Sequence, residues 1–297
     1  MSNFPKSGYA ACLVLALLLG CKDDFKPNQA ENNATTQFWI KGAAGRIFVD
    51  RGGAGGVPVV IVHSLAGNTT QWQAQLDHLR KNRLAIAFDM RGHGQSEPVQ
   101  NNDFSLAAMT QDVSAVVDSL GIAKFVLMGH SYGGGVIATY AGVHPERVAG
   151  LLFVDPIGDT SKLPRQAVEQ FLSVLRTEAY AETVEAHWRG ILLNADSAVT
   201  QQVIAGLRET PKEVVISAFA SALQFDPVAA LQSYQGPMHL ISSGLPEDPN
   251  NTSELHQVLP HLSRVKLPET SHWLQMDRPK EFNLRMDEFL NRIKAAE

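Results

Sequence analysis

The chain has 297 residues, of which 44% are apolar, 7% aromatic and 19% charged. That is enough apolar material for a sizeable core, and it excludes a disordered chain, a coiled coil or a collagen-like repeat. A formal net charge of −5 with no run of basic residues excludes the electrostatic footprint of a polynucleotide-binding protein. Both cysteines, Cys12 and Cys21, stand near the start, so the rest of the chain has no thiol for a disulfide, a zinc–thiolate site or a cysteine nucleophile.

A charged start (the amino group and Lys6) precedes an unbroken apolar run from Ala10 to Leu19, too short to span a bilayer but suited to a signal-peptide core. The run ends in Leu18-Leu19-Gly20-Cys21, which resembles the lipobox of bacterial lipoproteins. The resemblance implies a signal peptide over 1–20, acylation of Cys21, and an exported protein held on a membrane. Lys22 follows in place of the aspartate that marks inner-membrane retention, which implies the periplasmic face of the outer membrane. An ordinary signal peptide with an incidental cysteine is the alternative. Residues 22–36 carry only Phe25 as a large apolar side chain, so 21–37 read as a lipidated N-terminus and solvated tether.

From Phe38 onward, short β-branched runs alternate with segments of helical period, which predicts a largely parallel α/β sheet. Strands are expected at Phe38–Lys41, Arg46–Asp50, Pro58–Val62, Leu84–Asp89, Lys124–Met128, Val148–Val154, Met238–Ser242 and Arg264–Leu267. Helices are expected at Thr70–Lys81, Leu106–Leu120 (Ser105 as N-cap, Gly121 just past the end), Tyr132–Val143 and Pro279–Lys294. Residues 157–236 hold no convincing strand, only helical patterns at Arg165–Arg176, Ala181–Leu192, Ser197–Arg208 and Lys212–Leu223. They read as a helical cap inserted between core segments 38–156 and 237–297.

Gly129-His130-Ser131-Tyr132-Gly133 lies where the strand Lys124–Met128 gives way to the helix that follows. A G-x-S-x-G in that context predicts a sharp turn that pushes a serine hydroxyl clear of the backbone above a helix N-terminus. The glycines are needed because side chains two before and two after the serine would collide. Gly134 and Gly135 are expected to let the helix approach the sheet closely.

With these residues the sequence resembles the α/β-hydrolase family from residue 38 to 294. Val59-Val60-Ile61-Val62-His63-Ser64-Leu65-Ala66-Gly67 resembles that family's oxyanion loop, with Ser64 in place of a glycine. Phe88-Asp89-Met90-Arg91-Gly92-His93-Gly94-Gln95-Ser96 resembles its loop after the fourth strand, and Ser271-His272-Trp273 with Asp277-Arg278-Pro279 its C-terminal histidine loop. The resemblance implies Ser131 as nucleophile and His272 as base, with a carboxylate between them in chain order. Ser243-Gly244-Leu245-Pro246-Glu247-Asp248-Pro249 supplies Asp248, the preferred acid, and Glu247; Asp155, at the end of the sixth strand, is the other alternative. Leu65 and Tyr132 would supply the oxyanion-hole amides, and the Ser64 hydroxyl a third donor. For His63, His93, His130 and His144 loop or helix-end roles are favoured over catalysis, and Asp89 and Arg91, tempting as an ion pair in a cleft, are read instead as tying the loop after the fourth strand. His78, His187, His239, His256 and His261 have no motif context. Phe171, Trp188, Phe219 and Phe225 of the cap are candidates for an acyl pocket.

These readings point to a serine hydrolase cleaving an ester or related small acyl compound through an acyl-enzyme, with no metal and no cofactor. The alternatives are amide, lactone, thioester or carbon–carbon bond cleavage, cofactor-free perhydrolysis, or a noncatalytic binding lipoprotein on the same scaffold. An aspartate-nucleophile dehalogenase or epoxide hydrolase is disfavoured by Ser131.

Overall fold

The computed structural model describes residues 35–99, 102–246, 254–259 and 261–293. The signal segment, Cys21, Glu247 and Asp248 lie outside the described residues. Eight strands form one sheet in the order β1-β2-β4-β3-β5-β6-β7-β8: β1 Thr36–Lys41, β2 Arg46–Gly52, β3 Val59–Val62, β4 Ala85–Phe88, β5 Phe125–His130, β6 Val148–Val154, β7 Met238–Ser242 and β8 Ser263–Lys266. The first two strands form the expected hairpin and β2 pairs antiparallel with β4; every later pairing is parallel.

The continuous apolar runs behave as a two-faced parallel sheet requires, since successive side chains point to opposite faces. Val60, Val62, Ile86, Phe88 and Leu127 enter one buried cluster, and Val59, Ile61, Ala85, Ala87 and Val126 enter the other. The second cluster is closed by α1 (Gln73–Leu79), which follows a 3-10 turn over Thr69–Trp72, and by α11 (Pro279–Leu290) through Phe282, Met286 and Leu290. The first is closed by α2 (Leu106–Ser119) and α3 (Tyr132–Val143). Ser105 caps α2 as expected, its hydroxyl accepting from Ala108 N at 3.2 Å.

Between β6 and β7 the chain forms five helices and no strand: α4 Arg165–Leu175, α5 Tyr180–Ile191, α6 Ser197–Glu209, α7 Lys212–Ala222 and the short α8 Pro227–Leu231. Their apolar faces do not make a separate core. Val168, Leu172, Val184, Trp188 and Val203 join the same buried cluster as the sheet residues Leu127 and Phe153. The pattern missed α8 and two one-turn helices, α9 Leu255–Val258 and α10 Leu274–Asp277, because four or five residues are too few for a helical period to register.

The sheet order fixes where a ligand can go. From β3 the chain passes to β4 on one side, then crosses to β5 on the other, so strand order reverses between β3 and β5. In open α/β sheets the crevice beyond the strand C-termini at such a reversal is the binding position. The loop His63–Gly67 leaves β3 there, and Ser131 leaves β5.

Candidate active site

Ser131 sits between the last residue of β5 and the first of α3 with φ 53° and ψ −117°, a conformation an L-residue holds only when its surroundings impose it. The imposition is visible at the neighbouring glycines. A Cβ on Gly133 would lie 2.5 Å from the carbonyl oxygens of both Val62 and His63, and one on Gly129 would lie 2.4 Å from Gly133 O. Strand and helix therefore meet at a distance only glycine permits, and the serine between them is squeezed outward. Gly134 and Gly135 serve a different neighbour from the one expected: they make room for Pro156 and Ile157, where the chain leaves β6.

Asp155 is the next strand end along. Val154 pairs with His130 in register, so the residues that follow them, Asp155 and Ser131, emerge side by side. Asp155 has φ 40°, a left-handed conformation that aspartate tolerates better than most residues. Its Oδ2 accepts from His272 Nδ1 at 2.6 Å and its Oδ1 from Ser243 N at 2.9 Å. Burial pushes this carboxyl up, but the hydrogen bond and charge of His272 and the Ser243 amide outweigh it and hold the group below the ordinary carboxylate range. The partner of His272 is thus Asp155, the alternative, and the preference for Asp248 is corrected: the one Nδ1 position is occupied. The signal was present in the sequence, since Asp155-Pro156 after a buried strand offers the same Asp-Pro pair as Asp248-Pro249.

The loop carrying His272 is held on every side. Ser271 N and Oγ both donate to Asp277 Oδ2 at 2.7 Å. His272 N donates to Ile191 O of α5 at 3.0 Å, and His272 O accepts from His130 Nε2 at 2.8 Å. His130 is fully buried with its ring 4.7 Å from that of His272. Burial, then the charge of His272, keeps it well below the ordinary histidine range, so it is a neutral donor that braces the loop.

Ser131 and His272 line one cavity of about 220 Å³, together with Ser64, Leu65 and Tyr132. Tyr132 N–H opens α3 and has no intrahelical acceptor. Neither it nor Leu65 N–H has an acceptor among the described residues, and the Ser64 hydroxyl is buried without a partner. Two amides without acceptors thus belong to residues that line the cavity beside the serine, while the Ser64 hydroxyl oxygen is itself buried. Of the cap aromatics, Trp188 and Phe219 line the cavity. Phe225 and Phe171 do not: Phe225 is buried in the core, and Phe171 packs edge-on behind Phe219 with ring centroids 5.4 Å apart. His187, which no motif singled out, lines the cavity from α5.

The remaining loop residues are structural. His63 donates from Nδ1 to Ser64 O at 2.7 Å and accepts at Nε2 from Met90 N at 2.9 Å, and His93 donates to Arg91 O at 3.0 Å. Asp89 and Arg91 tie the loop as expected, each through its own partners and not as a pair with each other. Asp89 accepts from Thr69 N and Gln95 N at 2.7 and 2.8 Å, and Arg91 forms a buried bidentate pair with Asp112 of α2. The aspartate caps two turns while the arginine needs a full countercharge, which α2 supplies.

These buried groups make stability depend on pH. Burial, reinforced by His93, brings His63 down to about 3, and burial brings His93 down to about 4. Both are neutral when folded and protonate near 6.5 when unfolded, so the unfolded chain binds more protons and stability is lost as pH falls below 6.5. Asp89, raised by burial to about 6, acts in the opposite sense, since its contribution is lost as pH rises through 6. Two histidines outweigh one carboxyl. Urea denaturation is expected to give an unfolding free energy lower by roughly 2–4 kcal/mol at pH 5 than at pH 7; equal values would contradict the assignment of both rings as neutral.

Comparison with known proteins agrees with this architecture. Residues 57–279 match the model of the alpha/beta hydrolase fold family. The chain is 28% identical over 276 residues to the dihydrolipoyllysine-residue acetyltransferase component of the acetoin cleaving system of Pseudomonas putida, covering 89% of this chain and 71% of that protein. It is 27% identical over 253 residues to the sn-1-specific diacylglycerol lipase ABHD11 of Mus musculus, covering 78% and 80%. The enol-lactonase of Burkholderia xenovorans LB400 superposes with a TM-score of 0.72 at 20% identity, covering 86% of this chain and 100% of that one, a likeness of fold. With a family match over most of its length and the sheet order to go with it, the chain belongs to the alpha/beta hydrolase fold family of enzymes.

Proposed function

We propose that the protein hydrolyses short-chain carboxylic esters through an acyl-enzyme on Ser131. The observation that carries this reading is the 2.6 Å bond from His272 Nδ1 to Asp155 beside a serine forced out of the backbone into the same cavity. A serine hydroxyl is a poor nucleophile until a base takes its proton. With Nδ1–H committed to Asp155, His272 presents the Nε2 lone pair; it accepts the Ser131 proton as Oγ attacks the carbonyl carbon and returns it to the departing alcohol. The carbonyl electron pair moves onto oxygen, which Tyr132 N–H and Leu65 N–H would stabilise. Water then attacks the acyl-enzyme by the same route and frees the acid. No step calls for a metal or a cofactor.

Chain length follows from size. The cavity of about 220 Å³ is smaller than the roughly 300–1,000 Å³ of typical ligand pockets, and Trp188, Phe219 and Ile157 close its apolar side. A p-nitrophenyl ester series, run alongside fluorophosphonate labelling of the same preparation, tests the reading. Acetate and butanoate are expected to exceed decanoate at least tenfold in kcat/KM; a preference for decanoate contradicts the size argument, and absence of labelling contradicts the hydrolase reading itself.

A further inference from the structure

The cavity wall holds a titratable side chain that the proposed chemistry does not use. Besides His272, its titratable lining residues are Tyr132, whose hydroxyl turns away to donate to Phe104 O at 2.7 Å, and His187. His187 has no hydrogen-bond partner among the described residues; its ring stands edge-on to Trp188 at 5.5 Å and to Phe219 at 6.1 Å. Those two side chains line the same cavity, and their edge-on ring contacts orient the imidazole without hydrogen-bonding either nitrogen.

Its place is fixed relative to the chemistry. Ile191 O accepts the backbone amide of His272 at 3.0 Å, which docks the last turn of α5 onto the base. His187 is four residues earlier on the same helix face, one turn of about 5–6 Å away. Outward salt bridges from Glu185 to Arg189 and Arg208 lock the opposite side of α5 to α6. The imidazole is exposed to solvent as well as lining the cavity, and its ring is set by the edge-on contacts with Trp188 and Phe219. Partial desolvation, then the charge of His272, holds His187 below the ordinary histidine range, so near neutral pH it carries one N–H and one lone pair and no charge.

We propose that His187 is a substrate-contacting residue that selects acyl chains bearing a second, uncharged oxygen, such as alkoxy-, oxo- or hydroxyacyl esters, by donating its N–H to that oxygen. This rests on the ester-hydrolase reading above. Apolar walls gain nothing from such an oxygen and lose its hydration, so without His187 it would be rejected; a ligand pocket sets orientation with a few placed polar groups of this kind.

Isosteric pairs test the proposal: p-nitrophenyl butanoate against methoxyacetate, and pentanoate against 3-methoxypropanoate, in which one CH2 becomes O. Intrinsic reactivity cancels when the oxygen-to-methylene ratio of kcat/KM is compared between wild type and variant. His187→Phe is expected to lower that ratio at least tenfold for one of the two pairs, the one whose oxygen reaches the ring. His187→Gln, which keeps an N–H donor, is expected to recover most of it, with melting temperature showing that both variants fold. Ratios within threefold of wild type for both pairs in His187→Phe overturn the proposal, as does a glutamine variant no better than phenylalanine. Wild-type labelling by fluorophosphonate separates this failure from that of the parent reading, because an unlabelled Ser131 would sink the hydrolase assignment before His187 entered the question.

Discussion

Ser131→Ala is expected to lower kcat for p-nitrophenyl acetate by about five to six orders of magnitude and to abolish fluorophosphonate labelling. The size of the effect comes from loss of the covalent route: neither His272 nor the oxyanion donors can substitute for an attacking Oγ. What remains is the contribution of binding and of the Leu65 and Tyr132 amides, worth about a thousandfold to ten-thousandfold over water. His272 and Asp155 keep their 2.6 Å contact when the hydroxyl is removed, so the variant is expected to stay folded. Retained turnover or labelling would show that another group is the nucleophile.

The second large effect is expected at Asp155. Asp155→Asn preserves shape, and its amide oxygen can still accept from Ser243 N. Facing His272, however, an amide NH2 replaces a carboxylate oxygen. Nδ1 must then become the acceptor, the proton moves to Nε2, and the imidazole has no lone pair for Ser131. The expected loss is about three to four orders of magnitude in kcat with KM little changed. Asp248→Asn is expected to stay within about tenfold of wild type. A larger loss at residue 248 than at 155 would reverse the assignment of the acid.

Asp155 also marks how far the sequence can be read. Two Asp-Pro pairs follow strands, at 155–156 and 248–249, and nothing local distinguishes them. The choice is made by register: β5 and β6 are parallel neighbours with His130 opposite Val154, which brings Asp155 beside Ser131, while β8 and its loop return His272 from 117 residues further along the chain. That Asp89 and Arg91 tie their loop was legible, but their partners were not: the countercharge for Arg91 comes from Asp112 on a helix, and long-range partners of that kind leave no mark on the local pattern.

The eight strands and the long helices were legible because burial on two faces or on one stripe writes itself as a run or a period of several residues. The serine turn was legible because the steric demand for glycine at 129 and 133 acts within five residues. Which cap side chains line the cavity could not be read in this way. Phe171, Phe219 and Phe225 are alike in sequence, yet only Phe219 reaches the cavity, and His187 reaches it with no motif at all. Composition and local sterics determined the sheet and the strained serine; strand register decided the acid's company, and the docking of α5 onto the histidine loop the cavity's walls and its spare imidazole, because contacts between distant segments depend on how finished elements pack and not on the residues beside them in the chain.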